Sequence, residues 1–242
     1  MRTLRILLVF VLAALVSSGL APAKAAEGDV LIYLIRHGQS VDNLNGLQSG
    51  WSITPLTPLG VRQSTMIGTK LVNVQFTAAI SSGSVRAVQT LQAILKTRET
   101  PLTPVKDTHF REWGVGSFDQ KPVGLVQETM AKKLKTSVAN LWKYTDETKF
   151  NALAASDPSK KAETWAKFKS RIVGGMRLVL EKNRGGKVAL VTHGYVIKHL
   201  VKQLTGKWAT GSISNTSVTV LVYRSGKWTL QQGPTLNPTI AQ

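Results

Sequence analysis

The chain contains no cysteine and only four histidines. The absence of cysteine excludes disulfide bonds, thiolate catalysis and cysteine-based zinc sites. The four histidines are His37, His109, His193 and His199, and no two of them form a His-x-x-x-His or His-Glu-x-x-His array. Such arrays are typical of zinc sites on helices. We therefore expect no dedicated metal site and no bound cofactor.

Acidic residues are also scarce: 13 Asp and Glu oppose 31 Lys and Arg, which gives a net charge of +18. A strongly positive field attracts anions such as phosphate esters, nucleic acid or acidic cell-wall polymers. The lysines occur singly or in pairs, without the interleaved aromatic residues of a single-strand-binding platform. We therefore predict no specific nucleic-acid partner, and weak association with anionic cell-surface polymers stays open.

The first 25 residues have the pattern of a secretory signal peptide. Arg2 and Arg5 form a basic region, residues 6–16 are uninterrupted apolar sequence, and Ala23-Lys24-Ala25 has the spacing of a cleavage site. The alternative is an uncleaved anchor, but the apolar run is well below the ~20 residues that span a bilayer. We expect a secreted or periplasmic protein with no stable membrane anchor. Residues 26–242 would form a single domain, still strongly basic.

Two apolar stretches of the chain end in the same dipeptide, His-Gly. Residues 30–35 lead into Arg36-His37-Gly38, and residues 188–192 lead into His193-Gly194. Apolar runs of this length without alternation are typical of strands covered on both faces. Ligands of α/β sheets bind beyond the carboxyl ends of such strands. Both histidines therefore fall where a binding site is expected.

Two further positions carry candidate chemistry. Arg86 lies in the first turn of a predicted helix, residues 85–96, where free backbone N–H groups favour an anion. An arginine there adds a bidentate donor for a phosphate. Glu112 lies among aromatic residues and glycines. Desolvation in such a setting raises the pKa of a carboxylate, as a general acid requires.

Periodicity and turn residues predict the remaining elements. The predicted helices cover residues 58–72, with Thr57 as N-cap, residues 165–182, and the segment after Gly194. A strand is predicted at 76–80, a loop at 43–57, a hairpin from residues 217–223 and 228–231, and a poorly ordered tail from Gly233. Residues 119–164 are less regular, with helical fragments at 126–134 and 138–144.

Taken together, these motifs closely resemble the histidine phosphatase superfamily, in its phosphoglycerate-mutase-like branch (branch 1). The first motif, residues 34–40 with Asn43, is followed by Gln48-Ser49-Gly50-Trp51 and by residues 55–60. The resemblance continues with residues 81–90 around Arg86, Phe110-Arg111-Glu112, residues 191–194, and Asn215 with Ser217. It implies an α/β three-layer sandwich with a mainly parallel central sheet flanked by helices. Residues 119–164 would be an inserted helical cap.

The resemblance also implies roles for individual residues. His37 would be the nucleophile that forms a phosphohistidine, and Glu112 would protonate the departing alkoxide and then activate water. The substrate-binding positions would be Arg36, Asn43, Gln48, Gly50, Arg86 and His193. Two arginines next to His37 also lower the pKa of its imidazole, which keeps the nucleophile neutral.

The sequence departs from the family pattern at a few places. Gln39 stands where many relatives have glutamate, and Gly194 follows the second histidine where another branch has aspartate. The first motif also lacks the Arg-x-Pro ending of the acid phosphatase and phytase branch, so we disfavour that branch. Asp119 competes with Glu112 as the proton donor. His109 and His199 are interpreted as structural.

Three functions are compatible with these features. The first is a secreted, metal-independent phosphomonoesterase that acts on small phosphate esters. The second is a phosphoglycerate mutase-type phosphotransferase, which would need a phosphorylated priming cofactor and is disfavoured by the export signal. The third is a non-catalytic binder of phosphate-rich polymers. The substrate and the oligomeric state are left open.

Overall fold

The computed structural model describes residues 28–238. The predicted signal peptide, residues 1–25, lies outside the described residues and remains a prediction. Within the described part, no helix combines the length and the apolar character needed to cross a bilayer.

A six-stranded mixed sheet forms the centre of the fold. Its strands are β1 (Val30–Arg36), β2 (Ala78–Ser81), β3 (Pro104–Lys106), β4 (Lys187–Thr192), β5 (Val218–Arg224) and β6 (Lys227–Thr235). Their order across the sheet is β3-β2-β4-β1-β5-β6. The first four strands in this order run parallel to one another. β5 runs antiparallel to β1, and β6 runs antiparallel to β5. The prediction of an α/β fold with a mainly parallel sheet is confirmed.

Helices cover both faces of the sheet. Within residues 28–238 they are α1 (Val41–Leu44), α2 (Pro58–Lys70), α3 (Val85–Leu95), α4 (Val123–Lys133), α5 (Asp146–Ser156), α6 (Trp165–Lys182) and α7 (Gly194–Thr205). Alternate residues of β1 serve the two faces: Ile32 and Leu34 pack with α6 and α7, and Tyr33 and Ile35 pack with α2 and α3. All four are fully buried. Burial on both faces explains why β1 is an unbroken apolar run.

Side-chain caps stand at the start of two of the predicted helices. Thr57 accepts a hydrogen bond from the amide of Gly60, and Pro58 is the first residue of α2. Thr164 accepts one from the amide of Lys167 at the start of α6, whose bounds agree with the sequence prediction. Each cap satisfies an amide that has no partner within its helix.

Several predictions were wrong in detail. The second strand begins at Ala78 rather than at residue 76. The predicted loop 43–57 overlaps the short helix α1, which Ser40 and Asn43 cap reciprocally. The tail predicted to be poorly ordered from Gly233 instead continues β6 as far as Thr235, which pairs with Val218. A register shift in this edge pairing accommodates the glycine and proline of the strand.

Residues 119–164 are more regular than the sequence predicted. They contain α4, a 3-10 helix (Val138–Lys143) and α5, and the sequence analysis missed α5. Buried side chains such as Val126, Leu141 and Phe150 join this segment to the core on the α6 and α7 side of the sheet. That the segment is an inserted cap over the site remains a prediction.

Candidate active site

The sheet register places His37 beside His193. β1 and β4 are parallel neighbours in which Arg36 pairs with Thr192. The residues that follow both strands therefore leave the same edge of the sheet, and the two imidazole rings lie 5.1 Å apart between centroids. Both side chains are buried.

His37 is held in one tautomer. Its Nδ1 lies 2.7 Å from the carbonyl oxygen of Gly38, and because a carbonyl can only accept, Nδ1 carries the hydrogen. Nε2 therefore keeps its lone pair, and Arg86 Nε donates to it over 3.3 Å. Burial, together with the positive charges of Arg86 and Arg36, lowers the pKa of His37 well below its usual value. The ring is a neutral imidazole with Nε2 available as a nucleophile.

Gly38 is required for steric reasons. A Cβ at this position would lie 2.4 Å from the carbonyl oxygen of Gly60 and 2.8 Å from Ser64 Oγ. The Gly38 amide also donates to Thr90 Oγ1 at 3.0 Å. The close approach of the backbone after His37 to α2 therefore excludes any side chain here.

Arg86 is fully buried in the first turn of α3. Its Nη2 donates to the carbonyl oxygen of Gly50 at 2.9 Å, and its Nη1 contacts that of Ser52 at 3.4 Å. Burial lowers the pKa of Arg86, and the charge of Glu112 acts in the opposite direction. The guanidinium is oriented by main-chain oxygens that add no negative charge.

Asp119 holds the loop that contains Gly50, whose carbonyl oxygen binds Arg86. The two carboxylate oxygens of Asp119 accept hydrogen bonds from the amides of Gly50 and Trp51, each at 2.8 Å. The Gly50 amide and carbonyl are thus both bonded within the protein, and neither residue lines the main cavity. Asp119, which the sequence left as a competing proton donor, lies where it fixes the loop that carries the Arg86 acceptors.

Arg36 and His193 each contribute a buried nitrogen atom that has no hydrogen-bond partner within residues 28–238. Arg36 Nη1 donates to the carbonyl oxygen of Ile213 at 2.7 Å, and its Nε is the atom left without a partner in that part of the chain. His193 Nε2 is 2.8 Å from Ser82 Oγ, and its Nδ1 is the atom left without a partner among the same residues. Burial lowers the pKa of both side chains. These two nitrogen atoms lie beside His37 and are available to a polar ligand.

Among the described residues that line the cavity, Glu112 is the only acid. Its Oε1 accepts from the amide of Trp113 at 3.0 Å and its Oε2 from the amide of Tyr195 at 3.3 Å. Burial raises the pKa of Glu112, against these hydrogen bonds and the charge of Arg86, which lower it. A carboxyl group that retains its proton is suited to general acid catalysis.

Asn43 and Gln48, which were predicted to bind the substrate, also line the cavity. Asn43 Oδ1 accepts from the amide of Ser40 and from Asn215 Nδ2, so its own Nδ2 is the group left for a ligand. Asn215 Nδ2 also donates to the carbonyl oxygen of His37 at 2.9 Å. Gln48 is fixed through its backbone, which bonds to Gln120 and Lys121.

The site opens into a cavity of about 520 Å³. Besides Arg36, His37, Asn43, Gln48 and Glu112, its walls include Leu47, Ser49, Val123, Gly194, Tyr195, Lys198, Trp208, Ala209, Gly211 and Ile213. Arg86 and His193 lie next to His37, so the buried guanidinium and the two imidazole groups are close together. This arrangement can bind a phosphoryl group and leaves space for the rest of an ester.

Sequence reasoning missed Arg171 and Glu163. Arg171 makes a bidentate ion pair with Glu163, with distances of 2.8 Å from Nε and 2.6 Å from Nη2. Its Nη1 and Nη2 also donate to the carbonyl oxygens of His109, Arg111 and Glu112. These are contacts to main-chain oxygens far away in sequence, and no local pattern indicates them.

His109 and His199 do not line the cavity. His109 Nδ1 is 2.7 Å from Asp107 Oδ1. His199 is buried, packs edge-on against Trp165 and lies 3.1 Å from Asp146 Oδ2. Within residues 28–238, no group of three or more His, Asp or Glu side chains is arranged to hold a metal ion.

Comparison with known proteins shows the family of this chain. The family model of the histidine phosphatase superfamily (branch 1) matches residues 32–233. The chain belongs to this superfamily. Histidine phosphatases of branch 1 are phosphatases or mutases, and the resemblance inferred from the motifs is confirmed.

Individual relatives and structural neighbours of this chain carry both kinds of name. The probable phosphoglycerate mutase GpmB of Yersinia pestis (strain Pestoides F) is 26% identical over 204 residues, 81% of this chain and 86% of that protein. The phosphoglycerate mutase structure from Bacillus anthracis str. Sterne has a TM-score of 0.81 and 30% identity, over 87% of this chain and 95% of that one. A putative alpha-ribazole-5'-P phosphatase from Escherichia coli str. K-12 substr. MG1655 has a TM-score of 0.70 at 19% identity, over 87% and 98% of the two chains. The last likeness shows the fold alone.

Proposed function

We propose that this histidine phosphatase is a secreted, metal-independent phosphomonoesterase that acts through a phosphohistidine on His37. The observation that carries the proposal is the fixed tautomer of His37: Nδ1 is bonded to the Gly38 carbonyl, and Nε2 faces Arg86. A neutral imidazole with a free lone pair beside cationic donors is what attack on phosphorus requires.

In the first step His37 Nε2 attacks phosphorus and the bond from phosphorus to the ester oxygen breaks. Arg86 turns its Nε from His37 to a phosphoryl oxygen, joined by Arg36 Nε, His193 and Asn43. The developing charge is stabilised by donors that the fold has already oriented. Glu112, whose pKa is raised by burial, acts in its protonated form and gives its proton to the departing oxygen.

In the second step water attacks the phosphohistidine. Glu112, now a carboxylate, takes the proton from the water as the P–N bond breaks. Inorganic phosphate leaves and His37 returns to its neutral form. The arginines carry the charge stabilisation, so the proposal assigns no step to a metal ion.

The test is hydrolysis of an aryl phosphate by residues 26–242 in excess EDTA, compared with His37→Ala. We expect turnover by the wild type and its loss in the variant. His109→Ala is the matched control, because His109 is half exposed and lies outside the cavity. Absence of wild-type turnover, or unchanged turnover by His37→Ala, would refute the proposal.

A mutase is the second candidate, because the relatives from Yersinia pestis and Bacillus anthracis carry that name. The two functions differ in the fate of the phosphoryl group: water accepts it in a phosphatase and a second substrate hydroxyl in a mutase. Phosphate release and isomerisation, measured on the same phosphoglycerate sample with and without a bisphosphorylated primer, separate them.

The proposed export rests on Arg2, Arg5, the apolar run and the Ala23-Lys24-Ala25 site. Expression of the full chain in a bacterial host, followed by N-terminal sequencing of the exported fraction, tests it. We expect a mature protein that begins at Ala26. A chain that keeps residues 1–25 in the membrane fraction would contradict the proposed secretion.

A further inference from the structure

Two kinds of side chain line the cavity. Arg36, His37 and Glu112 are the groups that the proposed function assigns to the phosphoryl group and its leaving oxygen. Much of the remaining wall is apolar or aromatic and includes Leu47, Val123, Trp208 and the ring of Tyr195. An ester whose phosphoryl group meets the first set must place its leaving group against this remaining wall, which we call the leaving-group wall.

Within residues 28–238, Lys198 is the only basic residue besides Arg36 that lines the cavity. It follows Gly194 on α7 by four residues, about one turn or ~6 Å along the helix axis. Its Nζ lies 5.4 Å from the centre of the Trp208 ring and 5.9 Å from that of Tyr195. The ammonium group is therefore held over the aromatic part of the wall.

The charge of Lys198 is only partly compensated. Its Nζ has three N–H donors, and the hydrogen bond found for it within the described residues goes to Asp146 Oδ2 at 2.6 Å. The same carboxylate is 2.8 Å from Lys149 Nζ. One negative charge thus faces two lysines, and the group keeps a net positive charge beside the cavity.

Asp146 fixes the position of this ammonium group. Burial by itself would raise the pKa of Asp146, but its close contacts with His199, Lys149 and Lys198 outweigh burial and hold that pKa well below its usual value. The carboxylate therefore stays ionised. It lies at the start of α5, so it ties the position of Lys198 to the segment 119–164.

We propose that Lys198 binds an anionic substituent on the leaving group, so that preferred substrates are phosphate monoesters with an apolar or aromatic body and a second anionic group. This inference rests on the proposed function and deepens it. The apolar wall would contact the body, and the two Lys198 donors not used by Asp146 would bind the anion.

The test compares two aryl phosphates with the same ring, one carrying a carboxylate opposite the ester and one neutral. In Lys198→Met, kcat/KM for the carboxylated ester should fall by about 10-fold, mainly through KM, because a charge-assisted hydrogen bond is lost. The value for the neutral ester should change by less than about 2-fold. Lys198→Arg should retain most of the preference.

Lys202→Met is the matched control. Lys202 lies one turn further along α7, is also near the Trp208 ring at 5.3 Å, and does not line the cavity. It should leave both esters unaffected. An equal loss on both esters in Lys198→Met, or an equal effect of Lys202→Met, would overturn the proposal.

Binding measurements separate this inference from the proposed function. Calorimetric titration of both esters into His37→Ala reports the leaving-group contact without turnover. Weaker binding of the carboxylated ester in His37→Ala/Lys198→Met supports the role of Lys198 even if the wild type hydrolyses neither ester. Unchanged binding refutes it even if hydrolysis is observed.

Discussion

Arg171 Nη2 lies 3.2 Å from the main-chain oxygen of Glu112 and 2.6 Å from Glu163 Oε2. One guanidinium therefore joins the segment that carries the proposed acid to the start of α6. Trp51 Nε1 donates to the same Glu112 oxygen at 2.9 Å. The position of the carboxyl group depends on residues that do not themselves meet the substrate.

Arg171→Met should therefore reduce activity through the position of Glu112. We expect kcat to fall about 10- to 100-fold for an alkyl phosphate, whose leaving group needs a proton, and much less for an aryl phosphate with a good leaving group. Measuring kcat across a series of leaving groups checks this. Equal losses on all esters would point to a general structural defect.

The same substitution should also lower stability. Glu163 is buried, and removing its partner leaves an uncompensated charge, which costs about 3 kcal/mol or more in the free energy of unfolding. Arg171→Met/Glu163→Gln should recover part of this loss without recovering the activity on alkyl esters. Urea unfolding of the two variants measures the difference.

Arg86→Lys should show that the guanidinium, not charge alone, is needed. A lysine cannot reproduce the fork that reaches Gly50, Ser52 and His37, so kcat should fall by about 100-fold or more. Arg62→Lys, an exposed substitution on α2, is the control. Near wild-type kcat in Arg86→Lys would contradict the assigned role.

The pH dependence of activity should have an alkaline limb set by Glu112. The carboxyl group must be protonated to act as the acid, and burial raises its pKa, so the rate of the first step should decline as the pH rises through that value. Glu112→Gln should lower kcat and remove the limb. A limb that persists unchanged in Glu112→Gln would assign it to another group.

Stability should fall in mild acid because His37 and His193 are buried and neutral. The pKa of both is lowered well below the usual value in the folded state, whereas the unfolded chain titrates near ~6.5. Below that pH the unfolded state binds more protons, so the free energy of unfolding decreases as the pH falls. His193→Gln should reduce this slope, and His109→Gln serves as the control from outside the site.

Gly38→Ala should destabilise the fold by about 1–3 kcal/mol, because the new methyl group would meet the Gly60 carbonyl. Gly124→Ala is the control. A Cβ there meets nothing within 4 Å, and alanine in the helix α4 should be neutral or stabilising. Chemical unfolding of both variants decides between steric exclusion and a general effect of replacing glycine.

The sequence predicted the elements whose signals are local and strong. The buried run of β1 and the capped, periodic α6 have bounds that residue patterns alone indicate. β3 was missed because it is a three-residue edge strand with exposed side chains. α5 was missed because it buries only Phe150, Ala152 and Leu153, too few to give a clear period.

The residues of the candidate site also differ in whether a local sequence signal reveals them. Because His37, Arg86 and His193 lie at strand ends or at a helix start, the sequence predicts that they contribute to one site. The supporting contacts have no such signal. Asp119 and Arg171 act through backbone atoms of distant residues, and only the folded chain brings those atoms together.

The measurement that tests the central claim most directly is trapping of the intermediate. Rapid acid-free quenching during turnover of an aryl phosphate, followed by mass spectrometry of peptides, should locate an acid-labile phosphoryl group on His37. His37→Ala should lack it, and Glu112→Gln should accumulate it when a good leaving group is used. Turnover without a phosphorylated His37, or with the phosphoryl group on another residue, would contradict the account.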